Sequence, residues 1–487
     1  MRNSRKLLIL ASILVAIVLI YKFWGFQGPL AFIFILGAAV VLHEFGHFAV
    51  AKLLKIRVET FSVGFGPRLF GKRWGQTDYR VSAIPLGGYV KLGGDESNAP
   101  IEGAGASDIP PEEMFNLRPR WQRIAVALAG PIMNILTALT ISAVGAMWVG
   151  VPAAPAPVVK AIKPGGAAQK AGLQINDRIV SFNGEENPSW NRISGDALLS
   201  PDQPVALVVE RNGQRVPLTI TPTRSTDSGE AIGRLDFQPD FGNWPVVIDS
   251  VVKGMPAAEA GLQPGDQILA INDKPVTSPE QVTQLVQENK SQPIRMKIRR
   301  NGQEQVITAS VRRGEDGTEK LGFLPGIDAP LVRIGPIAAI SHAVRHNIEI
   351  LRLTGKALGQ LFSGQRSARD TLSGPIGIAR ASTMAVKELG WAGVFSMLGF
   401  LSLNLGIFNL LPIPVLDGGA IFLLLVEGLL ALVGVSISTT VRERIQQVGF
   451  VMVLLLMVFV ITNDLMKEAS RWRAPDDNKP AATAPQK

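Results

Sequence analysis

The sequence predicts a multi-pass α-helical membrane protein with two inserted copies of a β-rich α+β domain. Three observations support this prediction. Hydrophobic residues make up 47% of the 487 residues and charged residues only 18%, and the mean hydropathy is positive. Several apolar segments have about the 17–25 residues that a helix needs to cross the hydrocarbon core. A long polar region between these segments repeats parts of its own sequence.

Charge and cysteine content exclude several classes of protein. The net charge is +9, but the basic residues crowd beside the apolar segments. We therefore interpret the charge as a signal for the membrane surface and for orientation, and we expect no nucleic-acid partner. The chain has no cysteine, which excludes disulfides, thiolate zinc ligands and thiol nucleophiles.

Five apolar segments are candidate membrane helices, at approximately residues 7–23, 28–53, 124–149, 389–416 and 448–463. We interpret the first as a retained anchor, because Tyr21 and Phe23 stand where cleavage of a signal peptide needs small residues. Residues 418–440 are apolar apart from Glu427 and leave two interpretations open. They could form a sixth span, or a helix that lies partly in the membrane.

Basic residues predict the orientation of these spans. Lysines and arginines crowd residues 52–91, directly after the second span, which places that loop in the cytoplasm. The N-terminus then lies on the same side. The third span would carry residues 152–330 to the opposite, extracytoplasmic side.

The second span ends in the motif His43-Glu44-Phe45-Gly46-His47. On a helix, residues i and i+4 share a face, so His43 and His47 can present two imidazoles to one metal ion. Glu44 then projects beside the metal, where a carboxylate can take a proton from an attacking water. The alternative is a helix with two buried, hydrogen-bonded histidines. Ionisable side chains in apolar spans are usually functional, which favours the metal site.

The polar middle region is a tandem repeat. Ala171–Gln174 recurs as Ala260–Gln263, and Arg211–Gln214 recurs as Arg300–Gln303, both 89 positions later. Equal offsets indicate a duplicated domain. The order of strands, short helix and tight turns in each copy resembles PDZ domains, which bind peptides by adding a strand to a sheet edge. The alternative is two packing modules that bind nothing.

A catalytic zinc needs a third protein ligand, and Asp417 is the candidate. It ends an uncharged span in which Pro412 and Pro414 prevent a regular helix, and irregular backbone at membrane depth is tolerated where it lines a cavity. The alternative is a span that ends with Asp417 in solvent. His342 and His346 are also spaced i, i+4, but we interpret them as an exposed helical pair.

The histidine motif, residues 409–419 and the two repeats together resemble the site-2 protease family, which are intramembrane zinc metalloproteases of the M50 type. Further matches to that family are Gly64-Phe65-Gly66-Pro67, Pro85-Leu86-Gly87-Gly88-Tyr89-Val90-Lys91, Phe115-Asn116, Gly130-Pro131 and Ser373-Gly374-Pro375-Ile376-Gly377. Two departures are Ala420, where the family often has histidine, and the first span, which has no counterpart in the nearest relatives.

The resemblance implies a role for each matching residue. His43, His47 and Asp417 would bind one Zn²⁺ per chain, with Glu44 as general base. Asn409 would position the substrate or stabilise the transition state. The loop Phe61–Val90 would form a membrane-associated β-hairpin whose edge receives an unwound substrate. Within it, the candidate substrate-positioning residues are Gly64, Phe65, Gly66, Gly87 and Gly88.

We therefore predict nine segments along the chain. They are an N-terminal anchor (1–25), the helix with the histidine motif (26–54), a glycine-rich β loop (55–119), a membrane helix (120–151), two PDZ-like domains (152–240 and 241–330), an amphipathic helical connector (331–386), C-terminal membrane helices with Asp417 (387–466) and a disordered tail (467–487).

The predicted function is intramembrane cleavage of the transmembrane segments of single-pass proteins, such as anti-sigma factors and signal-peptide remnants, in regulated proteolysis. The predicted partners are membrane-anchored substrates, the lipid bilayer and peptide ends at the PDZ-like domains. The predicted location is the bacterial inner membrane, with the zinc site toward the cytoplasm. Alternatives are a non-proteolytic PDZ scaffold and a metal transporter. An intact Glu44 argues against the first, and the scarcity of ligands in the spans argues against the second.

Overall fold

The structure is a computed structural model that describes residues 27–95, 109–225, 232–252, 254–289, 292–313, 319–365, 367–368, 372–435 and 438–473. The predictions for the first span and for residues 474–487 lie outside these ranges. The chain divides into two compact units. Among the described residues, a helical unit contains those up to Val149 and those from Arg333 to Arg471, and a strand-rich unit contains those from Gly150 to Val332.

Seven long helices within the described residues belong to the helical unit, and four short ones to the strand-rich unit. In chain order they are α1 (Gln27–Leu53), α2 (Arg120–Trp148), α3 (Ala167–Lys170), α4 (Trp190–Leu198), α5 (Pro256–Glu259), α6 (Pro279–Glu288), α7 (Pro336–Phe362), α8 (Pro375–Leu389), α9 (Trp391–Asn409), α10 (Asp417–Leu432) and α11 (Thr439–Arg473).

Four described helices are long and apolar enough to cross a membrane, and they correspond to four of the five predicted spans. They cover Leu30–Leu53, Arg120–Trp148, Trp391–Asn409 and Thr440–Ala469. The prediction of a membrane protein with several apolar helices is confirmed. Helix α10 occupies most of the ambiguous segment 418–440 and is not among the four.

The last helix corrects the predicted start of the C-terminal tail. We predicted disorder from residue 467, but α11 continues to Arg473. Residues 467–473 contain no glycine or proline and several good helix formers, so nothing in them ends the helix.

Helices α1 and α2 approach each other closely through small residues. A side chain at Gly46 would collide with the backbone carbonyl of Ala129 on α2. Helix α9 packs on the same pair, with Val394 and Leu398 against Ile35 of α1. Small residues allow such close backbone approach in apolar bundles. This packing brings the histidine motif against α2 and α9.

Helix α8 begins on a carboxylate from the last helix. The backbone N–H groups of Gly374, Ile376 and Gly377 each donate to the Asp464 carboxylate at 3.0 Å. Asp464 is buried. An anion at a helix N-terminus satisfies N–H groups that have no partner within the helix, so this contact fixes α8 against α11.

Strands β1 (Val58–Trp74) and β2 (Thr77–Leu92) form an antiparallel pair with a doubled register. Residues 60–63 of β1 lie opposite residues 88–91 of β2 on one side and opposite residues 78–81 on the other. The start of β1 is therefore central, and the end of β2 is an outer segment. The start of β1 and the end of β2, which pair with each other, pack on α1 and α2 in a cluster that includes Ala51, Val58, Val90 and Val126.

The strand-rich unit contains two six-stranded sheets of equivalent topology. Their main paths run in the orders β11-β4-β5-β7-β8 and β19-β12-β13-β15-β16. The strands are β3 (Val151–Pro152), β4 (Ala156–Ile162), β5 (Arg178–Phe182), β6 (Glu185–Glu186), β7 (Val205–Arg211), β8 (Gln214–Ile220), β9 (Thr223–Ser225), β10 (Ile232–Arg234), β11 (Phe237–Asp240), β12 (Val246–Val251), β13 (Gln267–Ile271), β14 (Lys274–Pro275), β15 (Ile294–Arg300), β16 (Gln303–Ala309), β17 (Arg312–Arg313), β18 (Glu319–Lys320), β19 (Phe323–Ile327) and β20 (Leu331–Val332).

An ion pair between an arginine and a buried aspartate recurs in the two copies. In the first, Arg211 donates to both carboxylate oxygens of Asp177, at 2.8 and 2.7 Å. In the second, Arg300 donates to both oxygens of Asp266, at 2.6 Å each. Burial raises the pKa of Asp177, but hydrogen bonds from Arg211 and from the Gln174 N–H outweigh it, so the pKa lies below its usual value.

Candidate metal centre

Helix α1 places the two motif histidines on one face, one turn apart. Their Nε2 atoms lie 3.1 Å from each other. His43 is only 6% exposed. The i, i+4 spacing of the sequence therefore brings both imidazoles to one point, as predicted from helix geometry.

Asp417 reaches the same point from the opposite end of the sequence. Its Oδ2 lies 3.0 Å from His43 Nε2, and its Oδ1 lies 3.5 Å from His47 Nε2. Within the part of the chain that the structure describes, these three side chains form the one group of metal-ligating residues, with ligand atoms within 4.8 Å of one another. The structure thus brings together the three residues that the sequence analysis selected.

A break between α9 and α10 delivers the Asp417 carboxylate. Helix α9 ends at Asn409 and α10 begins at Asp417, because Pro412 and Pro414 lack the N–H groups that a continuous helix needs. Val415 in this loop has φ 85°, a left-handed conformation that is strained for a β-branched residue.

The loop is held in place by glycines that meet its backbone. A side chain at Gly418 would collide with the carbonyl of Leu410, and one at Gly449 of α11 would collide with Pro414. The close packing explains how the strained loop is held in one conformation.

Hydrogen bonds at the Nδ1 atoms orient the two rings. His47 Nδ1 donates to the Val126 carbonyl of α2 at 2.7 Å, which leaves Nε2 free to bind a metal. His43 Nδ1 lies 3.2 Å from the Asn134 side-chain amide. Asn134 is fully buried and accepts from Ser402 of α9. The sequence analysis missed Asn134, although an amide in an apolar span is a signal of a polar network.

The donor set fits a zinc ion. Asp417 Oδ2 is buried and has no hydrogen-bond partner, although it faces His43 Nε2. Two imidazole nitrogens and a carboxylate oxygen that converge in this way would repel one another without a cation. Two histidines and one acid, with a position left for water, are a donor set typical of catalytic zinc.

Glu44 lies beside this group and is tied to the β sheet. The Val90 N–H of β2 donates to Glu44 Oε2 at 3.1 Å. The carboxylate at the centre of the histidine motif is thereby held between α1 and the outer segment of β2. The Glu44 carboxylate can accept a proton from a water molecule that lies beside His43, His47 and Asp417.

Asn409, the last residue of α9, also reaches the site. Its Nδ2 lies 3.3 Å from His43 Nε2. A side-chain amide at this distance can donate to an oxygen that develops negative charge. It is therefore in range of the candidate metal site, as the sequence analysis anticipated.

Of the predicted substrate-positioning residues, Gly87 and Gly88 lie against α1, just before the histidines. A side chain at Gly87 would press on Phe65 and on Val40 of α1, and one at Gly88 on Val41. Gly64 and Gly66 have φ 92° and 83°, values that residues with a side chain avoid, and the register of β1 against β2 shifts between Val63 and Arg68.

His342 and His346 lie away from any such group among the described residues. They stack on α7 with ring centroids 5.7 Å apart. No acidic side chain joins them in a three-residue metal group within the described ranges.

Known proteins resemble the chain over most of its length. The sequence profile of peptidase family M50 matches residues 31–456. The regulator of sigma-E protease RseP of Salmonella typhimurium is 31% identical over 468 residues, covering 90% of this chain and 98% of the relative. RseP of Escherichia coli is 30% identical over 474 residues with the same coverage. A candidate zinc metalloprotease of Ralstonia nicotianae is 33% identical over 465 residues, again with the same coverage.

Solved structures include matches to a small part of the chain. The PDZ domain of the SdrC-like protein from Listeria monocytogenes covers 17% of this chain and 86% of its own length, at 19% identity and a TM-score of 0.16. The long matches, in contrast, include the histidine motif and the loop with Asp417. The chain therefore belongs to peptidase family M50, and it is a zinc metalloprotease.

Proposed function

We propose that the chain cleaves the transmembrane segments of single-pass membrane proteins, using His43, His47 and Asp417 as zinc ligands and Glu44 as general base. The observation that carries the proposal is the convergence of three ligand atoms beside a carboxylate, at the end of an apolar helix. Names of relatives refer to control of sigma-E, which supports substrates of the anti-sigma type. Signal-peptide remnants are a second substrate class.

Each residue of the site would have a distinct role in peptide hydrolysis. When bound, Zn²⁺ would polarise the scissile carbonyl and lower the pKa of water. Glu44 would take the proton from the attacking water and pass it to the leaving amine. Asn409 would donate to the oxygen that gains charge in the transition state. The Val126 carbonyl would hold His47 in the tautomer that leaves Nε2 for a metal, and Asn134 would orient the His43 ring through Nδ1.

The β1–β2 sheet would hold the substrate in an extended form. A helical peptide bond is shielded by its own backbone hydrogen bonds, so the substrate must unwind before water can attack. The outer segment of β2 can supply replacement partners, because it lies next to Glu44. Exposed Leu69, Phe70 and Trp74 on β1 would place part of this sheet in the membrane.

The strand-rich unit would act as two PDZ-like domains that select substrates by their peptide ends. Support comes from the 89-residue repeat and from the equivalent strand orders of the two sheets. We place the chain in the bacterial inner membrane. The strand-rich unit would lie outside the cytoplasm, and the zinc site would lie toward the cytoplasmic side of the membrane. The domain boundaries follow the sequence prediction, with the last helix extended to Arg473.

A substitution of Glu44 tests the proposal. The full chain and its Glu44→Gln variant are reconstituted in liposomes with a single-pass reporter, and cleavage is followed by mass spectrometry. We expect cleavage to fall by more than about a hundredfold, because general-base catalysis contributes roughly 10²–10⁴-fold. Glu112→Gln, at an exposed acid outside the site, is the matched control and should cleave normally. Equal cleavage by Glu44→Gln would refute Glu44 as the general base, and no cleavage by the unchanged chain would favour the scaffold alternative.

A further inference from the structure

Arginine side chains from two of the long apolar helices meet at the end of the helical unit where both helices begin. Arg120 and Arg123 lie in the first turn of α2, and Arg442 lies in the first turn of α11. Arg123 is within electrostatic range of both other arginines. A Cβ on Gly428 of α10 would lie 3.9 Å from Arg120 Cδ, so α10 also contacts the group. These three residues form the arginine cluster.

Positive charge exceeds negative charge in the arginine cluster. Arg442 donates to the carboxylate of Glu427 on α10, whose side chain is 11% exposed. Asp95 is the other acidic residue within electrostatic range of Arg123. Neither Arg120 nor Arg123 forms an ion pair within the described part of the chain. Three arginines and two acids therefore leave the cluster with a net positive charge, and two of its three guanidinium groups have no carboxylate of their own.

Arg123 also has a hydrogen-bond donor that the protein does not use. Its Nε is buried and has no hydrogen-bond partner among the described residues. The guanidinium lies over the Phe115 ring, 5.6 Å from the ring centroid. An aromatic face stabilises a cation but does not replace a hydrogen-bond acceptor, and a buried donor without an acceptor is unfavourable. Arg123 is therefore placed to bind an acceptor from outside the chain.

The arginine cluster lies where the bundle meets the membrane surface. The candidate spans of α2 and α11 begin at Arg120 and Thr440, so the cluster marks the start of both. Trp121 is 61% exposed, and tryptophan is enriched where a membrane meets water. On α10, Leu425 and Leu429 are 53% and 67% exposed. The cluster thus lies at headgroup level beside apolar surface that acyl chains can cover.

We propose that the arginine cluster binds the phosphate of an anionic phospholipid. A guanidinium group donates two parallel hydrogen bonds to phosphate and loses its hydration more easily than an ammonium group does. Basic pockets between membrane helices are typical sites for anionic headgroups. A lipid carries its phosphate to the depth at which the spans begin, and its acyl chains cover the exposed leucines of α10, which free phosphate cannot do. The bound headgroup would join the starts of α2 and α11 to α10.

Lipid retention by the full chain tests this proposal. The chain is placed in nanodiscs that contain equal amounts of phosphatidylglycerol and phosphatidylcholine, and native mass spectrometry identifies the lipids that stay bound after release. We expect the chain to retain phosphatidylglycerol about tenfold more than phosphatidylcholine, because hydrogen bonds between charged groups are stronger than those between neutral groups. Inorganic phosphate, added in excess over lipid, should not displace it.

Substitutions that remove one positive charge each provide matched variants. Arg123→Gln and Arg120→Gln should each reduce the preference for phosphatidylglycerol at least about threefold, because each removes a charged donor to the phosphate. Lys52→Gln is the control, since Lys52 is an exposed cation at the end of α1 and lies outside the cluster. It should retain the full preference. Hydrogen exchange of α2 and α11 verifies that each variant remains folded.

Several results would overturn the inference. Equal retention of the two lipids would remove the anionic headgroup as the ligand. An equal loss of preference in Lys52→Gln and Arg123→Gln would show a general effect of surface charge, and displacement by inorganic phosphate would show that the cluster does not require a lipid. Lipid retention needs no cleavage, so this test and the Glu44→Gln experiment can fail independently.

Discussion

At the residue scale, the zinc site depends on a position with no side chain. A Cβ on Gly130 would overlap His47 Nε2 and would lie 2.8 Å from His43 Cε1. We expect Gly130→Ala to lower zinc affinity by more than about tenfold, because overpacking costs about 1–3 kcal/mol. Gly145→Ala on the same helix is the control, since no atom lies within 4 Å of its Cβ. Competition with a fluorescent zinc chelator measures both, and equal affinities would contradict the geometry.

Asn134 gives a second prediction at this scale, because it acts on zinc through His43. Asn134→Ala removes the group that faces His43 Nδ1, and loss of such partners typically lowers metal affinity about 10–100-fold. Thr137→Ala is the control, since the Thr137 hydroxyl donates only to the Met133 carbonyl of its own helix. The same competition assay applies. A zinc affinity in Asn134→Ala that matches the control would remove Asn134 from the ligand network.

Sequence spacing was enough to bring His43 and His47 to one point, since a helix fixes the i, i+4 relation. Asp417 required the helix break and the family resemblance, because nearly the whole chain separates it from the histidines. Asn134 and Gly130 could not be predicted as partners of the site. Their contacts depend on how closely α1 and α2 pack, which a single sequence does not specify.

At the element scale, the buried pair of Asp177 and Arg211 predicts acid sensitivity in the first β copy. The pKa of Asp177 is lowered from its usual 3.8, so the folded state favours the charged carboxylate. This stabilisation is complete above the usual value and is lost as pH falls through the lower folded value. We expect Asp177→Asn to destabilise the copy by about 1–3 kcal/mol at neutral pH, and by less at strongly acid pH.

Hydrogen exchange of strands β5 and β7, corrected for intrinsic rates, measures this loss at pH 7 and at pH 3. Asp202→Asn is the control, because its ion pair with Arg224 is exposed and such pairs contribute little. A difference between Asp177→Asn and the unchanged chain that stays constant with pH would show that the pair is not linked to protonation.

The repeat was visible in the sequence because turns and glycines preserve their spacing. The doubled register of β1 and β2 was not visible, since one strand pairs with two segments of the next. The extension of α11 to Arg473 was also missed, because charged helix formers and disordered tails have similar composition.

At the scale of the whole molecule, metal removal should affect the two units differently. The described part of the strand-rich unit contains no group of three metal-ligating side chains. We expect a chelator to abolish cleavage and to increase hydrogen exchange in residues 410–417, while the strands of the other unit keep their protection. Zn²⁺ should restore cleavage and Mg²⁺ should not, because Mg²⁺ prefers a shell of oxygen ligands. Cleavage by the metal-free chain would contradict this prediction.

The membrane class, four of the helices and the family were predictable from hydropathy and motifs, which are local properties.

The left-handed conformation of Val415 sets the stability of the fold against catalytic activity. A glycine there would relieve strain of about 1–3 kcal/mol and would raise the stability of the fold. It would also loosen the loop that carries Asp417 to the histidines. A population selected only for expression would therefore drift toward glycine at this position, whereas one selected for cleavage would retain the valine.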